Sequence, residues 1–324
     1  MKITAECVTP RHPDKLCDQI ADAILDEAVG QDPDSRVAVE VLGGHGVIIV
    51  MGEVTTKAYV NVPAVVERIM GAKYPVLNYI VSQSPEIAHG VDTGGAGDQG
   101  IMIGYATDET PEFMPKEVMY ARELCQFLYG LFPYDGKTQV TLENGEIKKI
   151  VTSFQHVKSS DLKNAVLQWL EVLDSNGEVE ILANPAGDWK TGGFEADTGL
   201  TGRKLLIDAY GPRVPIGGGS FSGKDATKVD RSGAYIARKI AVELLKEHTA
   251  KEVIVRLSYA IGVADPVQAV ALIDGKEVDI SNGTYGLPLK PNEIIEALHL
   301  KEPQFEQTAK WGHFGNGFKW DGAE

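Results

Sequence analysis

Cysteine is scarce in this sequence, and a long apolar run is missing from it. The three cysteines, Cys7, Cys17 and Cys125, have no CxxC spacing and leave an odd number. They therefore predict neither a disulfide framework nor a zinc site, and they favour a reducing compartment. The longest apolar run, VIIVM at 47–51, is too short to span a bilayer, and MKITAECVTP lacks the apolar core of a signal peptide. We expect a cytoplasmic protein.

Positive charge is also in deficit. The chain has 31 Lys and Arg residues against 46 Asp and Glu residues, which gives a formal net charge of −15. Such a surface repels nucleic acid and anionic membranes, so we expect no partner of either kind. An anionic substrate meets the same repulsion, and a phosphate site would therefore need a local concentration of cations.

The 324 residues suffice for two or three domains, and the hydrophobic content of 43% is typical of a globular protein. Helical periodicity over 14–29 is followed by strand patterns over 36–56, and similar combinations recur twice along the chain. In the second of them, Asn144 and Gly145 predict a two-residue hairpin turn. In the third, the apolar run KLLIDAY at 204–210 predicts a strand, and a long helix is expected from Val229.

These patterns predict an α/β protein of the α+β type with three similar domains, each a sheet with helices on one face. We place the domains at 1–88, 89–190 and 191–324. The opposite sheet faces then need burial, and an interface between subunits is the obvious place for it.

The stretch GGSFSGKD at 218–225 is close to a P-loop. Its glycines and Lys224 have the Walker A spacing, but Asp225 stands where a Ser or Thr should hold Mg²⁺. The prolines of the preceding GPRVPI would also interrupt the strand that a P-loop follows, so this is not a Walker A loop. Glycine amides with Lys224 and Lys228 near a helix start still suit an anion. A plain glycine-rich connection with a solvated first turn is the alternative.

Two other short segments carry candidate residues. In RHPDK, His12 can donate to an oxygen that gains charge and Asp14 can take part in a Mg²⁺ site, although an ordinary helix start would look the same. In GLTGRK, Arg203 and Lys204 are adjacent, and strand alternation would point them to opposite faces unless a turn reorients them. A basic pair on the surface is the alternative there.

Two further segments are weaker signals. Asp98 lies among the glycines of GAGDQG, where a plain turn is the default interpretation. In NPAGDW, Trp189 follows a turn and is either a core residue or a platform for adenine stacking.

Taken in order, the segments HPDK, GEVTT, GAGDQGIMIGYATDET, GLTGRK, GGGSFSGKDATKVDRS and SYAIGVADP resemble S-adenosylmethionine synthetase, also called methionine adenosyltransferase. The matches run from Glu6 to GHFG at 312–315 and so cover nearly the whole chain. The resemblance implies synthesis of S-adenosylmethionine from ATP and L-methionine, with hydrolysis of the triphosphate to diphosphate and phosphate. It also implies a pseudo-threefold axis relating the domains and a homodimer with shared active sites, and it leaves open whether dimers pair into tetramers.

The resemblance also assigns roles to individual residues. Catalytic roles are implied for His12, Lys137, Arg203, Lys224 and Lys228. ATP contacts are implied for His12, Asp135, Lys137, Asp188, Trp189, Asp197, Arg203, Lys204, Ser220 and Lys224. Methionine contacts are implied for Glu53, Gln83, Asp197 and Lys228. The expected cofactors are K⁺ beside Glu40 and about two Mg²⁺ ions per site, with Asp14, Asp230 and Glu6 as the magnesium ligands.

The sequence departs from the family pattern in two places. The loop SPEIAHGVDTGGAGDQG at 84–100 is short, and Asp188 stands where the family commonly has Arg. This makes the chain a short-loop variant whose gating and nucleotide selectivity are open. The alternatives are a tripolyphosphatase, against which Glu53, Gln83 and Asp197 argue, and a regulatory homologue without methionine chemistry, in which we would expect His12 or Lys224 to have decayed.

Overall fold

The structure is a computed structural model that describes residues 1–83, 94–173 and 177–322. The predicted limit at 88/89 and most of the short loop lie outside these residues. The described strands are β1 (Lys2–Val8), β2 (Arg36–Gly44), β3 (Val47–Thr55), β4 (Val76–Val81), β5 (Gly100–Thr107), β6 (Gly136–Glu143), β7 (Glu146–Phe154), β8 (Glu180–Ala183), β9 (Gly199–Leu200), β10 (Glu252–Tyr259), β11 (Gln268–Ile273) and β12 (Lys276–Asp279). The described helices are α1 (Pro13–Gln31), α2 (Val62–Met70), α3 (Lys116–Leu131), α4 (Ser159–Val172), α5 (Leu205–Asp208), α6 (Val229–His248), α7 (Pro291–Ala297) and α8 (Phe305–Trp311).

The strands form three four-stranded sheets, which confirms the predicted class of three sheets with helices. Their orders are β9-β2-β3-β4, β1-β6-β7-β8 and β5-β10-β11-β12. In the first two, an antiparallel hairpin is followed by a helix and a parallel fourth strand. The third sheet is antiparallel throughout.

The sheets exchange edge strands in a cycle. Strand β1 precedes α1 but pairs with β6 of the second sheet, and β5 precedes α3 but pairs with β10 of the third. Strand β9, which lies ahead of α6, pairs with β2 of the first sheet. Each third of the chain therefore completes the sheet of the next third. The contiguous ranges predicted for the domains follow chain order and stay a prediction.

Long helices cover one face of the sheets. Helix α1 packs on β2, α3 packs on β1 and β6, and α6 packs on β5 and β10. At the last contact the backbones come close, because a Cβ on Gly104 would lie 2.0 Å from the carbonyl oxygen of Ala237. Glycine is thus the residue that lets β5 lie against α6.

Local sequence explains several element limits. His12 accepts a hydrogen bond from the Asp14 amide and Pro13 occupies the first turn of α1, so this helix begins where predicted. Asn144 and Gly145 have φ angles of 53° and 84°, which the predicted hairpin turn between β6 and β7 requires.

The strand predicted over 204–210 was wrong. Leu205–Asp208 is a helical turn, and Asp208 accepts a buried hydrogen bond of 2.6 Å from Lys15 of α1. A short apolar run fits either element, and in the structure this run is a helical turn whose Asp208 pairs with Lys15. Strands β1 and β5, the charged edge strand β12 and helix α8 were not predicted.

One sheet face stays open in the single chain. Strand register places Leu42, Ile49 and Leu77 in one row across the first sheet and Met51 and Tyr79 in the next. Met51 is 53% exposed and Tyr79 58%. The other face, with Val39 and Val50, is buried. An apolar sheet face of this kind is typical of an interaction surface.

Candidate active site

The buried carboxylate of Asp14 contacts two adjacent basic residues from a segment far along the chain. Its Oδ2 accepts a short hydrogen bond from Lys204, and its Oδ1 lies 3.2 Å from Nε of Arg203. Oδ1 also accepts the Leu200 amide at 3.0 Å. Burial by itself would raise the pKa of Asp14, but the hydrogen bonds from Lys204 and Leu200 outweigh it and lower that pKa. The carboxylate therefore stays ionised.

A turn over 201–204 brings the adjacent Arg203 and Lys204 of GLTGRK to the same side. The strand ends at Leu200, and the following turn directs both Arg203 and Lys204 to Asp14. The two neighbours thus act at one point. Half of the Arg203 side chain, 49%, is exposed, whereas Lys204 is 15% exposed. The guanidinium of Arg203 is therefore accessible to a ligand.

His12 is next to this pair and is neutral. Its Nδ1 accepts the Asp14 amide at 3.2 Å and lies 3.9 Å from Oδ2 of Asp14. Burial, followed by the charge of Lys204, lowers the pKa of His12 to about 4. Because Nδ1 accepts a hydrogen bond, the proton of the neutral ring is on Nε2, which is then a donor.

Strands β1 and β6 bring Lys137, Glu6 and Asp135 to the same place. Lys137 pairs with Val8 in the sheet, and its Nζ lies 3.6 Å from Oε2 of Glu6. Lys137 also acts on His12 by its charge. Asp135 accepts the Gly193 amide at 2.9 Å, and burial raises the pKa of this aspartate.

The glycine loop wraps a second ion pair. Nζ of Lys224 lies 2.7 Å from Oδ2 of Asp230. A Cβ on Gly219 would lie 1.9 Å from Oδ1 of Asp230, so only glycine allows this approach. A Cβ on Gly202 would likewise meet Ser220 at 2.8 Å, which shows that the glycine loop touches the turn of Arg203. The two predicted phosphate segments are therefore in contact.

Asp225 explains why the loop is not a Walker motif. Its Oδ1 accepts the Val37 amide at 2.7 Å and Nζ of Lys228 at 2.5 Å, while Oδ2 accepts from Thr227. This carboxylate fastens the loop to β2. Helix α6 begins at Val229, so Lys224 and Lys228 precede it and do not share a helix face.

Glu40 lies between the two loops. Burial raises the pKa of Glu40, and the charge of Lys224 and a hydrogen bond with Thr201 work against that shift. The register of the first sheet puts Glu40 beside Met51 on the open face and Glu53 beside Val81. Glu53 is exposed there.

Three further predicted residues have no hydrogen bond or ion pair with Asp14 or Lys224 among the described residues. Oε1 of Gln83 is buried and has no hydrogen-bond partner among the described residues. Asp197 is exposed and accepts only from the Thr198 amide in the described part of the chain. Trp189 is half-buried, donates to Asn184 at 3.3 Å and packs near Gly192.

Asp188 is engaged with a helix. Its Oδ1 accepts the backbone amide of Ser159 at 2.8 Å and the Ser159 hydroxyl at 2.6 Å. These hydrogen bonds lower the pKa of Asp188. The carboxylate caps the N-terminus of α4, whose own Lys158 supplies no cap.

Comparison with known protein families gives matches along nearly the whole chain. Three family models match consecutive parts of the chain: the N-terminal domain of S-adenosylmethionine synthetase at 1–82, its central domain at 93–189 and its C-terminal domain at 191–322. The chain belongs to the S-adenosylmethionine synthetase family. Membership confirms the resemblance drawn from the sequence motifs.

Curated relatives in the family match along nearly their full length. The S-adenosylmethionine synthase of Thermus thermophilus is 42% identical over 379 aligned positions, covering 98% of this chain and 95% of the relative. That of Clostridium tetani is 41% identical, covering 96% and 93%. Since 379 positions exceed the 324 residues here, the Thermus protein contains segments that this chain lacks.

A solved family structure has the same fold. The structure of an unusual S-adenosylmethionine synthetase from Campylobacter jejuni superposes with a TM-score of 0.88 at 33% identity. It covers 100% of this chain, and 97% of that chain is matched. Among the residues that the structure describes here, no helix is both long and apolar enough to cross a membrane.

The described residues contain no group of three or more His, Cys, Asp or Glu side chains arranged as metal ligands. Asp14, Asp230 and Glu6 each stand opposite a lysine instead. Mg²⁺ commonly takes one or two carboxylates and completes its shell with water and substrate phosphates. These separate carboxylates fit that kind of site and do not fit a site made of protein ligands alone.

Sequence reasoning missed Asp18, Asp22 and Arg231. Asp18 accepts the Gly202 amide at 2.9 Å, and Asp22 accepts the Gly223 amide at 2.9 Å. Arg231 is fully buried and bonds Asp22 through both terminal nitrogens. The spacing of four between Asp18 and Asp22 is visible in the sequence, but their burial against glycine amides is not.

Proposed function

We propose that this chain makes S-adenosylmethionine from ATP and L-methionine and then hydrolyses the triphosphate to diphosphate and phosphate. The observation that carries the proposal is the convergence of His12, Arg203 and Lys204 on buried Asp14, next to the glycine loop of Lys224. A net charge of −15 makes such a local gathering of cations a requirement for a polyphosphate ligand.

The transfer step needs stabilisation of a leaving group. Methionine sulfur attacks C5′ of ATP, the bond from C5′ to oxygen breaks, and the triphosphate leaves with the bonding electrons. Cations and donors fixed before the reaction stabilise this charge most effectively. Nε2–H of His12 supplies a donor to the C5′ oxygen, while Lys137, Arg203, Lys224 and Lys228 hold the phosphate chain.

The ion pairs of Asp14 and Asp230 support a place for Mg²⁺. When triphosphate binds, Lys204 and Lys224 can turn to phosphate oxygens, which leaves Asp14 and Asp230 to hold Mg²⁺ with Glu6 close by. The metal would neutralise charge on the phosphates. A K⁺ ion beside Glu40 would sit at the junction of the two loops.

Methionine recognition falls to residues at the sheet end. The carboxylates of Glu53 and Asp197 suit its ammonium group, and the unpaired Oε1 of Gln83 is a further acceptor among the described residues. Lys228 suits its carboxylate. Trp189 and Asp135 are assigned to the nucleoside, with Asp188 near them at the end of α4.

We also propose a homodimer that shares its sites. The open face of the first sheet carries exposed Met51, Tyr79 and Val81 together with Glu40 and Glu53. A second copy on this face would bury the apolar rows and enclose both acids between subunits.

The deciding experiment incubates the protein with ATP, L-methionine, Mg²⁺ and K⁺ and detects S-adenosylmethionine by mass spectrometry, with diphosphate and phosphate measured in parallel. Runs without K⁺ and without Mg²⁺ test the two ions. Absence of S-adenosylmethionine at high protein concentration defeats the proposal. Cleavage of added tripolyphosphate without that product would indicate a tripolyphosphatase, and no turnover of either would indicate a regulatory homologue.

A further inference from the structure

Helix α1 carries an aspartate ladder, which consists of Asp14, Asp18, Asp22 and Asp26. A spacing of four places these side chains on one face of the helix. Each accepts backbone amides from a segment far away in the sequence: Leu200 for Asp14, Gly202 for Asp18, Gly223 for Asp22, and 304–306 for Asp26. One rigid helix thus holds three separate loops.

The two middle aspartates each accept the amide of a glycine that precedes a cationic residue. Asp18 holds Gly202, which directly precedes Arg203, and Asp22 holds Gly223, which directly precedes Lys224. The two glycines have φ angles of 76° and 81°. This left-handed conformation is one that glycine adopts without strain, and it turns the next residue sharply. The amide gripped by each aspartate therefore lies one residue before a cation assigned to triphosphate.

Both carboxylates are fixed in place. Asp18 is 1% exposed and Asp22 is fully buried. Lys15 lies 3.2 Å from Asp18 and also bonds Asp208 at 2.6 Å, and Arg231 bonds Asp22 at 2.7 and 2.9 Å. Buried ion pairs contribute little net stability compared with apolar packing. Their effect here is to lock two acceptor oxygens on a rigid element.

We propose that Asp18 and Asp22 are positioning residues that aim Arg203 and Lys224 at the triphosphate. The inference rests on the proposed function, because that function makes Arg203 and Lys224 triphosphate ligands. Displacement of a ligand-positioning group by about 1 Å can cost about 10²-fold in rate. A carboxylate that touches no substrate can therefore control turnover through the loop it holds.

A purely structural role is the competing explanation, and the ladder contains its own control. Asp26 lies on the same helix face and accepts amides of 304–306 in the same way, but none of those residues is assigned to substrate. Replacement of Asp26 thus removes the hydrogen bonds to 304–306 and leaves those that hold the loops of Arg203 and Lys224.

The test compares Asp18→Ala, Asp18→Asn and Asp26→Ala by steady-state kinetics, melting temperature and calorimetric binding of magnesium tripolyphosphate. For Asp18→Ala we expect kcat/KM for ATP and affinity for tripolyphosphate to fall at least about tenfold, with KM for methionine within about twofold. Asp18→Asn keeps the acceptor oxygen and should recover most of the loss. Asp26→Ala should lower the melting temperature and keep all three parameters.

Equal kinetics and equal tripolyphosphate affinity in Asp18→Ala and Asp26→Ala would overturn the inference. If Asp18→Ala does not fold, Asp18→Glu and Asp26→Glu replace the pair, since an extra methylene moves the carboxylate and keeps its charge. The same expectations then apply. A wild-type protein that makes no S-adenosylmethionine would sink the proposed function by itself, and the tripolyphosphate affinities would still decide the positioning role.

Discussion

Lys224 and Asp230 form an ion pair of 2.7 Å in which the glycine loop encloses the aspartate. The lysine side chain is 20% exposed, so a ligand can reach its amine. We expect Lys224→Ala to lower kcat/KM for ATP by about 10²-fold, the scale for loss of one charge-stabilising donor, and to shift the melting temperature little. Lys239→Ala, at a half-buried lysine on α6 with no assigned role at the site, is the control and should keep both. A collapsed melting temperature with unchanged activity would contradict the assignment.

Removal of the His12 donor should separate the two reactions. His12→Ala is expected to reduce S-adenosylmethionine formation by about 10²-fold because the C5′ oxygen loses its partner. Cleavage of added tripolyphosphate should fall much less, since that bond lies away from C5′. Both rates are measured on one preparation, and His299→Ala, at an exposed histidine, serves as the control. Equal losses in the two rates would exclude the role.

The open sheet face predicts how the chain assembles. Tyr79→Asp puts a charge in the middle of the apolar rows and should convert a dimer into monomers, because an unpaired charge is costly in a dry interface. Light scattering after size-exclusion chromatography gives the mass. Tyr59→Asp changes a tyrosine that is 78% exposed outside the sheet and should keep the dimer. A monomeric wild type, or a dimeric Tyr79→Asp, would rule the interface out.

Buried His313 should make the free energy of unfolding depend on pH in the acid range. Its Nδ1 lies 2.7 Å from the hydroxyl of Tyr235, and burial together with the charge of Arg231 holds the pKa of His313 well below 6.5. Between that pKa and 6.5 the unfolded chain binds a proton that the folded chain does not. The free energy of unfolding therefore falls as the pH drops below about 6.5.

His313→Gln should flatten this pH dependence, and urea unfolding between pH 7 and 5 measures it. The comparison concerns the slope, because loss of the Tyr235 contact can also lower stability at every pH. His299→Gln should keep the wild-type slope. An unchanged slope in His313→Gln would show that other groups cause the acid sensitivity.

Much of the fold could be predicted from local patterns. Helix α1, the β2–β3 pair and the hairpin at Asn144 have strong periodicity or turn residues, and the structure confirms them. Strands β1 and β5 were missed because their partners lie more than a hundred residues further along the chain. The strand predicted over 204–210 was wrong because a short apolar run fits a strand and a helical turn equally well.

The site shows the same limit. Sequence identified RHPDK and GLTGRK as unusual, but no spacing within either segment says that Asp14 receives both Arg203 and Lys204. The resemblance assigned Asp14 to Mg²⁺ and the two cations to ATP, and only the structure shows that they contact each other. Asp18 and Asp22 escaped both routes, since an acidic residue in a helix usually faces solvent and only their burial against glycine amides reveals a task.

The exchange of edge strands also constrains how the protein can be made. As the chain leaves the ribosome, β1 must wait for β6, and the first sheet stays incomplete until β9 has been synthesised. No third of the described chain can finish its own sheet, so a truncated product would expose unpaired strand edges. The first sheet is therefore complete only after the last third of the chain has supplied β9.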